Sequence, residues 1–514
     1  MIVPESNRSV PDRPVPEEVV TAGLPAPIHV GAAAVADLVA ASGRRLVVLD
    51  DDPTGTQTVA DVPVLTTWSV EDLRWGLRQG APAVYVLTNS RSLSPADAAA
   101  RNRQVLEALV PAAAAEHVGY VVTSRSDSTL RGHFPLETDV VADTLLRLTG
   151  EAVDGVVVVP AYIEGGRITV GSRHWVRTAA GMVPAGRSEF AGDATFGYRS
   201  SDLPDYVEEK SAGRWKAADV ARITVEQLRG DRSAADRVLL GLSDGQPVVV
   251  DAVDDEDLRS LSLALLAAEA AGKRFVYRVG PSFVRARAGL DARPPLSAEA
   301  IRSLAGGSGD AQAGGSGHGL VVVGSHVRQT TRQLEELRAA GGFAEIELDV
   351  PRLLDAPDPA AVVADVADRA IAALASGDVV VSTSRAVVTG GDADASLAVA
   401  GTVSMAVVDV VRDVVQRSRP AWIVAKGGIT SSDVATRSLG IRRAWVRGTL
   451  LPGIISLWEP VDSGAPGTPY VVFAGNVGGD DALVRVVAGL REALDVGSQA
   501  GGAGAGGVDP GGVG

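Results

Sequence analysis

The chain of 514 residues contains no cysteine. Disulfides, thiolate metal sites and cysteine nucleophiles are therefore excluded, and the composition fits a cytoplasmic protein. Histidines number only six, and none are paired at helical ligand spacing, so no zinc site is expected. Positive charge is in deficit: 48 Lys and Arg face 63 Asp and Glu, a formal net charge of −15. Nucleic acid needs a basic face, so it is not an expected partner, and an anionic small substrate would need locally clustered arginines. Long apolar runs are lacking; charge interrupts each one well before membrane-spanning length, and no membrane partner is expected. The first residues carry Pro, Glu and Arg rather than an apolar segment, which argues against a secretory signal. A GxGxxG fingerprint after a strand is missing, as is the GxxxxGK[ST] spacing. No repeat of solenoid period is found.

Ala, Val and Gly are abundant and aromatics make up only 4%. The length points to two domains. Strand and helix patterns alternate, so the expected fold is α/β: two α/β domains with mixed or mainly parallel sheets and a ligand cleft between them. A mobile leader is expected over 1–27, a first domain over 28–300 and a Gly/Ser linker over 301–319. A second domain is expected over 320–496, and a disordered Gly-rich tail over 497–514. Strands are read at 46–49, 62–67, 83–87, 120–123, 155–159, 247–252 and 274–279. The second series has strands at 320–323, 344–348, 379–382, 421–425 and 470–473. The stretch 189–216 has little periodicity and reads as a surface excursion.

The chemistry-bearing residues lie where strands end. Leu46-Val47-Val48-Leu49 is an apolar strand that stops at Asp50-Asp51-Asp52, then turns at Pro53-Thr54-Gly55. Three adjacent carboxylates repel unless they face a cation, a hydroxyl-rich ligand or backbone donors. Ligands in open α/β sheets bind outside the carboxyl ends of strands, so a site is favoured over a solvated acidic turn. Arg125-Ser126-Asp127-Ser128-Thr129-Leu130-Arg131-Gly132 places two arginines, a carboxylate and hydroxyls on one strand-to-helix loop. The guanidinium fork matches carboxylate or phosphate in two-point fashion; the bland alternative is a helix cap at Ser126 or Asp127. Glu164-Gly165-Gly166-Arg167-Ile168-Thr169 is a third such loop, equally well read as an ordinary Gly-Gly hairpin. In the second half, Gly324-Ser325-His326, Lys426-Gly427-Gly428-Ile429-Thr430-Ser431 and Gly475-Asn476-Val477-Gly478 each follow a strand. Their glycines, hydroxyls and helix starts suit a phosphate chain, and Lys426 is placed to reach one. Arginines at one end and glycine turns at the other are what a small-molecule kinase needs.

The motifs resemble those of the four-carbon acid sugar kinase family, over roughly residues 45–495. Asp51-Asp52-Pro53-Thr54-Gly55 is similar to its Asp-Asp-x-Thr-Gly signature, and Asp127 to Gly132 to its Asp-Ser-Thr-Leu-Arg-Gly motif. Pro160-Ala161-Tyr162 through Gly171 is similar to its Pro-Ala-aromatic and Gly-Arg-x-Thr-x-Gly block. The resemblance implies a sugar-acid domain over 28–300 and an ATP-binding domain over 320–496. It implies transfer from ATP, with Mg2+, to the terminal (C4) hydroxyl of a four-carbon sugar acid such as 3-oxo-tetronate, threonate or erythronate. Asp51, Asp127 and Arg131 would be catalytic, with Asp51 or Asp127 as base. Asp52, Thr54, Arg125, Ser128, Arg167 and Thr169 would bind substrate. Ser325, Gly427, Gly428, Ile429, Thr430, Gly475 and Asn476 would contact ATP. No metal ligand is assigned, and a homodimer is left open. The chain departs from the family pattern at Ile429 (commonly Glu), His133 (Asn) and Arg125 (Lys). Two other readings stay open. Asp50 as nucleophile and Asp52 as acid resemble a haloacid-dehalogenase-type phosphatase, with Gly390-Gly391-Asp392-Ala393-Asp394 as its metal motif. The third is a sugar-acid-binding protein without transfer activity.

Overall fold

The computed structural model describes residues 13–231, 233–306, 316–386, 388 and 393–494. The first half contributes β1 (Arg44–Asp50), β2 (Val62–Leu65), β3 (Ala83–Leu87), β4 (Gly119–Arg125) and β5 (Gly155–Val159). It continues with β6 (Arg167–Val170), β7 (Arg173–Thr178), β8 (Gly181–Pro184), β9 (Ala221–Ile223), β10 (Gln246–Val250) and β11 (Phe275–Val279). The second half adds β12 (Leu320–Val323), β13 (Phe343–Leu348), β14 (Asp378–Thr383) and β15 (Ile423–Lys426). Its last strands are β16 (Arg443–Leu451), β17 (Ile455–Asp462) and β18 (Tyr470–Phe473).

Runs such as Val156 to Val159 and Leu320 to Val323 are buried on both faces, so they read as uninterrupted apolar segments. They enter one 15-stranded sheet in the order β13-β14-β12-β15-β18-β17-β16-β2-β3-β1-β4-β11-β5-β10-β9. Only the pairs β2–β16, β16–β17 and β17–β18 are antiparallel. The fold is thus α/β with a mixed, mostly parallel sheet. β6, β7 and β8 form a separate three-stranded sheet.

The two halves meet edge to edge, Arg443 to Val446 pairing with Leu65 to Val62. Asp72 anchors this seam. Fully buried, it accepts from Arg442 Nη2 at 3.1 Å, Arg443 Nε at 2.9 Å and Ser69 Oγ at 2.6 Å. Burial pushes its carboxyl up, but these donors and the arginine charges outweigh burial and hold it below the usual range. One apolar layer then runs through the seam, with Val64 and Tyr85 beside Val446 and Trp458.

Four stretches differ from expectation. Tyr198, Leu203, Tyr206 and Val207 within 189–216 are buried, and residues 203–210 are helical, so one face of this segment is core rather than the whole being a surface excursion. Aromatic packing, not periodicity, holds it: Tyr206 lies 5.7 Å from the rings of both Phe134 and Tyr198. Residues 301–306 belong to the helix Ala298–Gly306, which packs on the helix Ala482–Leu494, with Arg302 Nε donating to Ala493 O at 3.0 Å. Val15, inside the expected leader, exchanges backbone hydrogen bonds with Met182 at 3.0 and 2.7 Å. β16 and β17, which the sequence reading passed over, supply the seam. Residues 1–12, the centre of the Gly/Ser linker, 390–392 and the Gly-rich tail lie outside the described residues.

Candidate active site

One cavity of about 860 Å³ is lined from both halves. The sheet order explains its two ends. β3, β1, β4 and β11 are neighbours, and their carboxyl ends carry Arg91, Asp52, Asp127 and Pro281. β12, β15 and β18 are also neighbours, and theirs carry Ser325, Gly427 and Gly475.

The end formed by β1, β3 and β4 is built from ion pairs. Arg125 on β4 donates from Nε to Asp50 Oδ1 at 2.6 Å and from Nη2 to the Asp52 carbonyl at 3.0 Å. Arg91 donates from Nε and Nη2 to the two Asp51 oxygens at 3.0 and 2.5 Å, and from Nη1 to Asp52 Oδ2 at 3.3 Å. These two cations resolve the repulsion of the triple carboxylate. Burial pushes Asp50 up to about 7, with Arg125 pulling the other way. For Asp52, burial is outweighed by Arg91 and by the Thr54 hydroxyl and amide, at 2.5 and 2.8 Å, and its carboxyl is held low. Asp127 follows the same balance: Arg91, Arg131 and Thr129 overcome burial and keep it ionised far below the usual carboxylate range.

The loop carrying Asp127 has its carbonyls fixed one by one. His174 Nε2 donates to Ser128 O at 2.8 Å, Tyr198 to Thr129 O at 2.7 Å and Tyr206 to Leu130 O at 2.8 Å. Arg278 donates to Arg131 O at 3.2 Å. With Nε2 donating, His174 Nδ1 accepts from the Thr169 hydroxyl at 2.9 Å. Burial lowers this imidazole to about 4, so it stays neutral. Both bonds recorded on the Asp127 carboxylate, from Thr129 and Arg131, use Oδ2. Oδ1 is left for another donor.

Arg167 differs from its neighbours. Arg91, Arg125 and Arg131 each hold a carboxylate, whereas Arg167 has no ion-pair partner among the described residues. It stands 5.6 Å from the Tyr162 ring centroid, with Nε unpartnered. Burial pulls its guanidinium below the usual range. It is suited to an anion supplied from outside.

The opposite end is built from glycine backbones packed closely against small hydroxyl side chains. Gly427 has φ +127°, and a Cβ there would lie 2.9 Å from Thr430 Oγ1 and 3.0 Å from Ser325 Cβ. On Gly475 a Cβ would come within 2.8 Å of Ser325 Oγ. The three turns interlock only because positions 427 and 475 carry no side chain. Beside them Val399, Val403 and Val407 form an apolar wall at helical spacing. Glycine turns for phosphates and an apolar wall for a flat base fit a nucleotide. The ends come together: a Cβ on Gly428 would stand 3.8 Å from Asp52 Oδ2, and Tyr162 OH donates to Gly453 O at 2.7 Å. Among the described residues, no three His, Asp or Glu converge on a metal position.

Of the residues singled out in the sequence, Asp52, Thr54, Arg125, Asp127, Ser128 and Arg131 line the cavity. So do Arg167, Ser325, Gly427, Gly428, Ile429 and Thr430, together with Gly475 and Asn476. Asp51 and Thr169 do not: Asp51 is buried under Arg91, and Thr169 is spent on His174. Lys426 does not either. It is fully buried, its Nζ donates to Ala474 O at 2.6 Å, and burial lowers it to about 7. Asp50 is buried and clamped by Arg125, which removes it from the position a phosphatase nucleophile needs. Sequence reasoning missed Arg91, Phe190 and the valine wall. Arg91 follows β3, whose carboxyl end opens on the same crevice as that of β1; that rule was the signal available. Phe190 lies 5.0 Å from the Arg131 guanidinium across the loop that read as surface.

Two family models match the chain: a sugar-binding N-terminal domain over 46–287 and a nucleotide-binding C-terminal domain over 320–483. A curated relative, the 3-oxo-tetronate kinase of Methylobacterium radiotolerans, is 28% identical over 453 residues, 85% of this chain and 97% of that one. Among solved structures, a Salmonella typhimurium LT2 protein provisionally described as a tRNA synthase aligns with TM-score 0.59 and 20% identity. That alignment covers 86% of this chain and 98% of the other. Haemophilus influenzae protein HI1011, of family DUF1537, aligns with TM-score 0.55 and 17% identity, over 86% and 100%. These two likenesses concern the fold.

Proposed function

Because the chain belongs to the four-carbon acid sugar kinase family, we propose that it transfers the terminal phosphoryl group of ATP to the C4 hydroxyl of a four-carbon sugar acid such as 3-oxo-tetronate, threonate or erythronate. One observation carries this reading: a single cavity holds the arginine–carboxylate cluster at one end and the interlocked glycine turns at the other. Arg167 takes the substrate carboxylate, since it is the cavity arginine with no internal counter-ion. The amides around Gly427, Gly428 and Gly475 and the hydroxyls of Ser325 and Thr430 take the phosphate chain. Mg2+, arriving with the nucleotide, would offset the charge of the phosphate chain, which suits a site where the described residues offer no cluster of three metal-ligating side chains.

Asp127 Oδ1 accepts the hydrogen bond of the C4 hydroxyl and points its oxygen at the nucleotide end. Its low pKa makes it a weak base, which suffices where transfer depends on alignment and the proton leaves late. Arg131, bound to Asp127, offsets charge on the group in flight. Asp52 stands where the two ends meet and is fixed there by Thr54 and Arg91. Asp51 acts at a distance, by holding Arg91.

Asp127→Asn tests the reading, with ADP release followed across a panel of four-carbon acids. The expected loss is about 10²- to 10⁴-fold in kcat. Unchanged turnover would remove Asp127 from the mechanism.

A further inference from the structure

The turn after β1 ends in a side chain that the roles above leave unused. Gln57 closes the short helical turn Pro53–Thr56, lines the cavity and is 7% exposed. Its Oε1 is buried without a hydrogen-bond partner. Buried amides are nearly always satisfied, and one left open inside a binding cavity points to a ligand.

The neighbouring residues show that this placement is fixed. Thr56 Oγ1 accepts from Trp458 Nε1 at 3.0 Å and donates to Ser456 Oγ at 3.0 Å. Thr58 Oγ1 donates to Pro281 O at 3.0 Å. Gly55 lets the turn lie against the Asp50–Arg125 pair, where a Cβ would meet the Arg125 guanidinium and the Asp50 carboxylate. The backbone on both sides of Gln57 is therefore tied to the second half and to the end of β11.

We propose that Gln57 is a specificity-determining residue whose amide hydrogen-bonds a secondary hydroxyl of the sugar acid, at C2 or C3. The inference rests on the kinase reading and deepens it. A primary amide offers a donor and an acceptor side by side. A hydroxyl can answer both, a methylene neither. The charged neighbours already have duties: Arg167 faces the carboxylate and Asp127 the C4 hydroxyl. The uncharged amide is left for the middle of the chain, where the substrate carries its uncharged oxygens. A site built to bond a hydroxyl discriminates strongly against the analogue that lacks it.

The test compares wild type with Gln57→Met, which keeps the length and removes both polar atoms. The substrates are threonate, erythronate, 3,4-dihydroxybutyrate and 2,4-dihydroxybutyrate, the last two lacking the C2 and the C3 hydroxyl in turn. All four keep the C4 hydroxyl. For threonate or erythronate, Gln57→Met is expected to lower kcat/KM by about 10- to 100-fold. For the deoxy acid that lacks the contacted hydroxyl, variant and wild type should agree within about threefold. The melting temperature of the variant should equal or exceed that of wild type, because an unsatisfied buried amide is removed. An equal loss on all four acids, or a lowered melting temperature with uniform loss, would make Gln57 structural and overturn the inference. Wild-type turnover that the variant leaves unchanged overturns the amide's role alone. No wild-type turnover on any of the four acids or on 3-oxo-tetronate overturns the kinase reading, and this inference with it; turnover of 3-oxo-tetronate alone, unchanged in Gln57→Met, overturns this inference only.

Discussion

The two ends of the cavity are organised by different physics. At the end within the sugar-binding domain, buried carboxylates and guanidiniums fix one another: Asp50 with Arg125, Asp51 and Asp52 with Arg91, Asp127 with Arg131. At the nucleotide end the described cavity residues hold no such ladder, and the Gly427 and Gly475 backbones pack directly against the Ser325 and Thr430 side chains. Charge placed by ion pairs suits a small acid that must be held in one orientation. Uncharged amides suit a polyphosphate that arrives with its own cations. The difference teaches that rigidity has two sources here, and each should fail in its own way.

The largest effect is expected where an ion pair is broken. Arg91→Ala strands Asp51, which is 2% exposed, and loosens Asp52. Removing one partner of a buried pair costs about 3–5 kcal/mol, so urea unfolding should show a loss of that order, together with loss of ADP release. A variant with wild-type stability would mean that the Asp51–Arg91 contact does not organise the turn. Next comes Gly427→Ala, at φ +127° with little room beside Thr430 and Ser325. A strained residue costs about 1–3 kcal/mol, and the KM for ATP should rise by about tenfold or more, while the KM for the acid moves little. A larger rise for the acid would break the division between the ends.

The smallest effect sharpens the comparison through pH. Among the buried ionisable groups shifted to near neutrality, Glu137 in one half and Lys426 in the other can be removed without touching the cavity lining. Burial, aided by Asp51 and opposed by Ser90, Asn102 and Ser124, pushes Glu137 up to about 7. Burial pulls Lys426 down to about 7. Between its unfolded pKa and 7 the folded protein keeps a proton on Glu137 that the unfolded chain has lost, so stability falls as pH rises toward 7. Above 7 the unfolded chain keeps a proton on Lys426 that the folded protein has lost, so stability rises with pH. Each slope is about 1 kcal/mol per pH unit. Urea midpoints measured across pH should show Glu137→Gln flattening the acid-side fall and Lys426→Met flattening the alkaline-side rise. If both variants track wild type, these groups titrate in the fold as they do in water.

Much of this was legible from local pattern. Valine runs ending in glycine or carboxylate turns located nearly every parallel strand, because burial on both faces leaves an apolar run that no polar residue interrupts. The same turns supplied most of the cavity lining, since open α/β sheets bind ligands where strands end. What stayed hidden was long-range. The segment 189–216 carries no periodicity, yet its tyrosines reach back to carbonyls near residue 130. Thr169 sits in a motif of acid, base and hydroxyl, but its hydroxyl faces His174, a pairing that only the β6–β7 register creates. Lys426 adjoins a glycine turn, and strand alternation sends its side chain inward onto Phe473 rather than out to the cavity.

The sequence by itself determined the strands, the turn residues at their carboxyl ends and the kind of chemistry each turn can carry, because these follow from burial and backbone conformation within a few residues. The tertiary structure alone decided that β2 and β16 join the halves into one sheet, that Arg91 neutralises the carboxylate turn, and that Asp52 comes to face Gly428. Those outcomes depend on edges and charges that lie tens to hundreds of residues apart, and only a folded sheet brings them within hydrogen-bond reach.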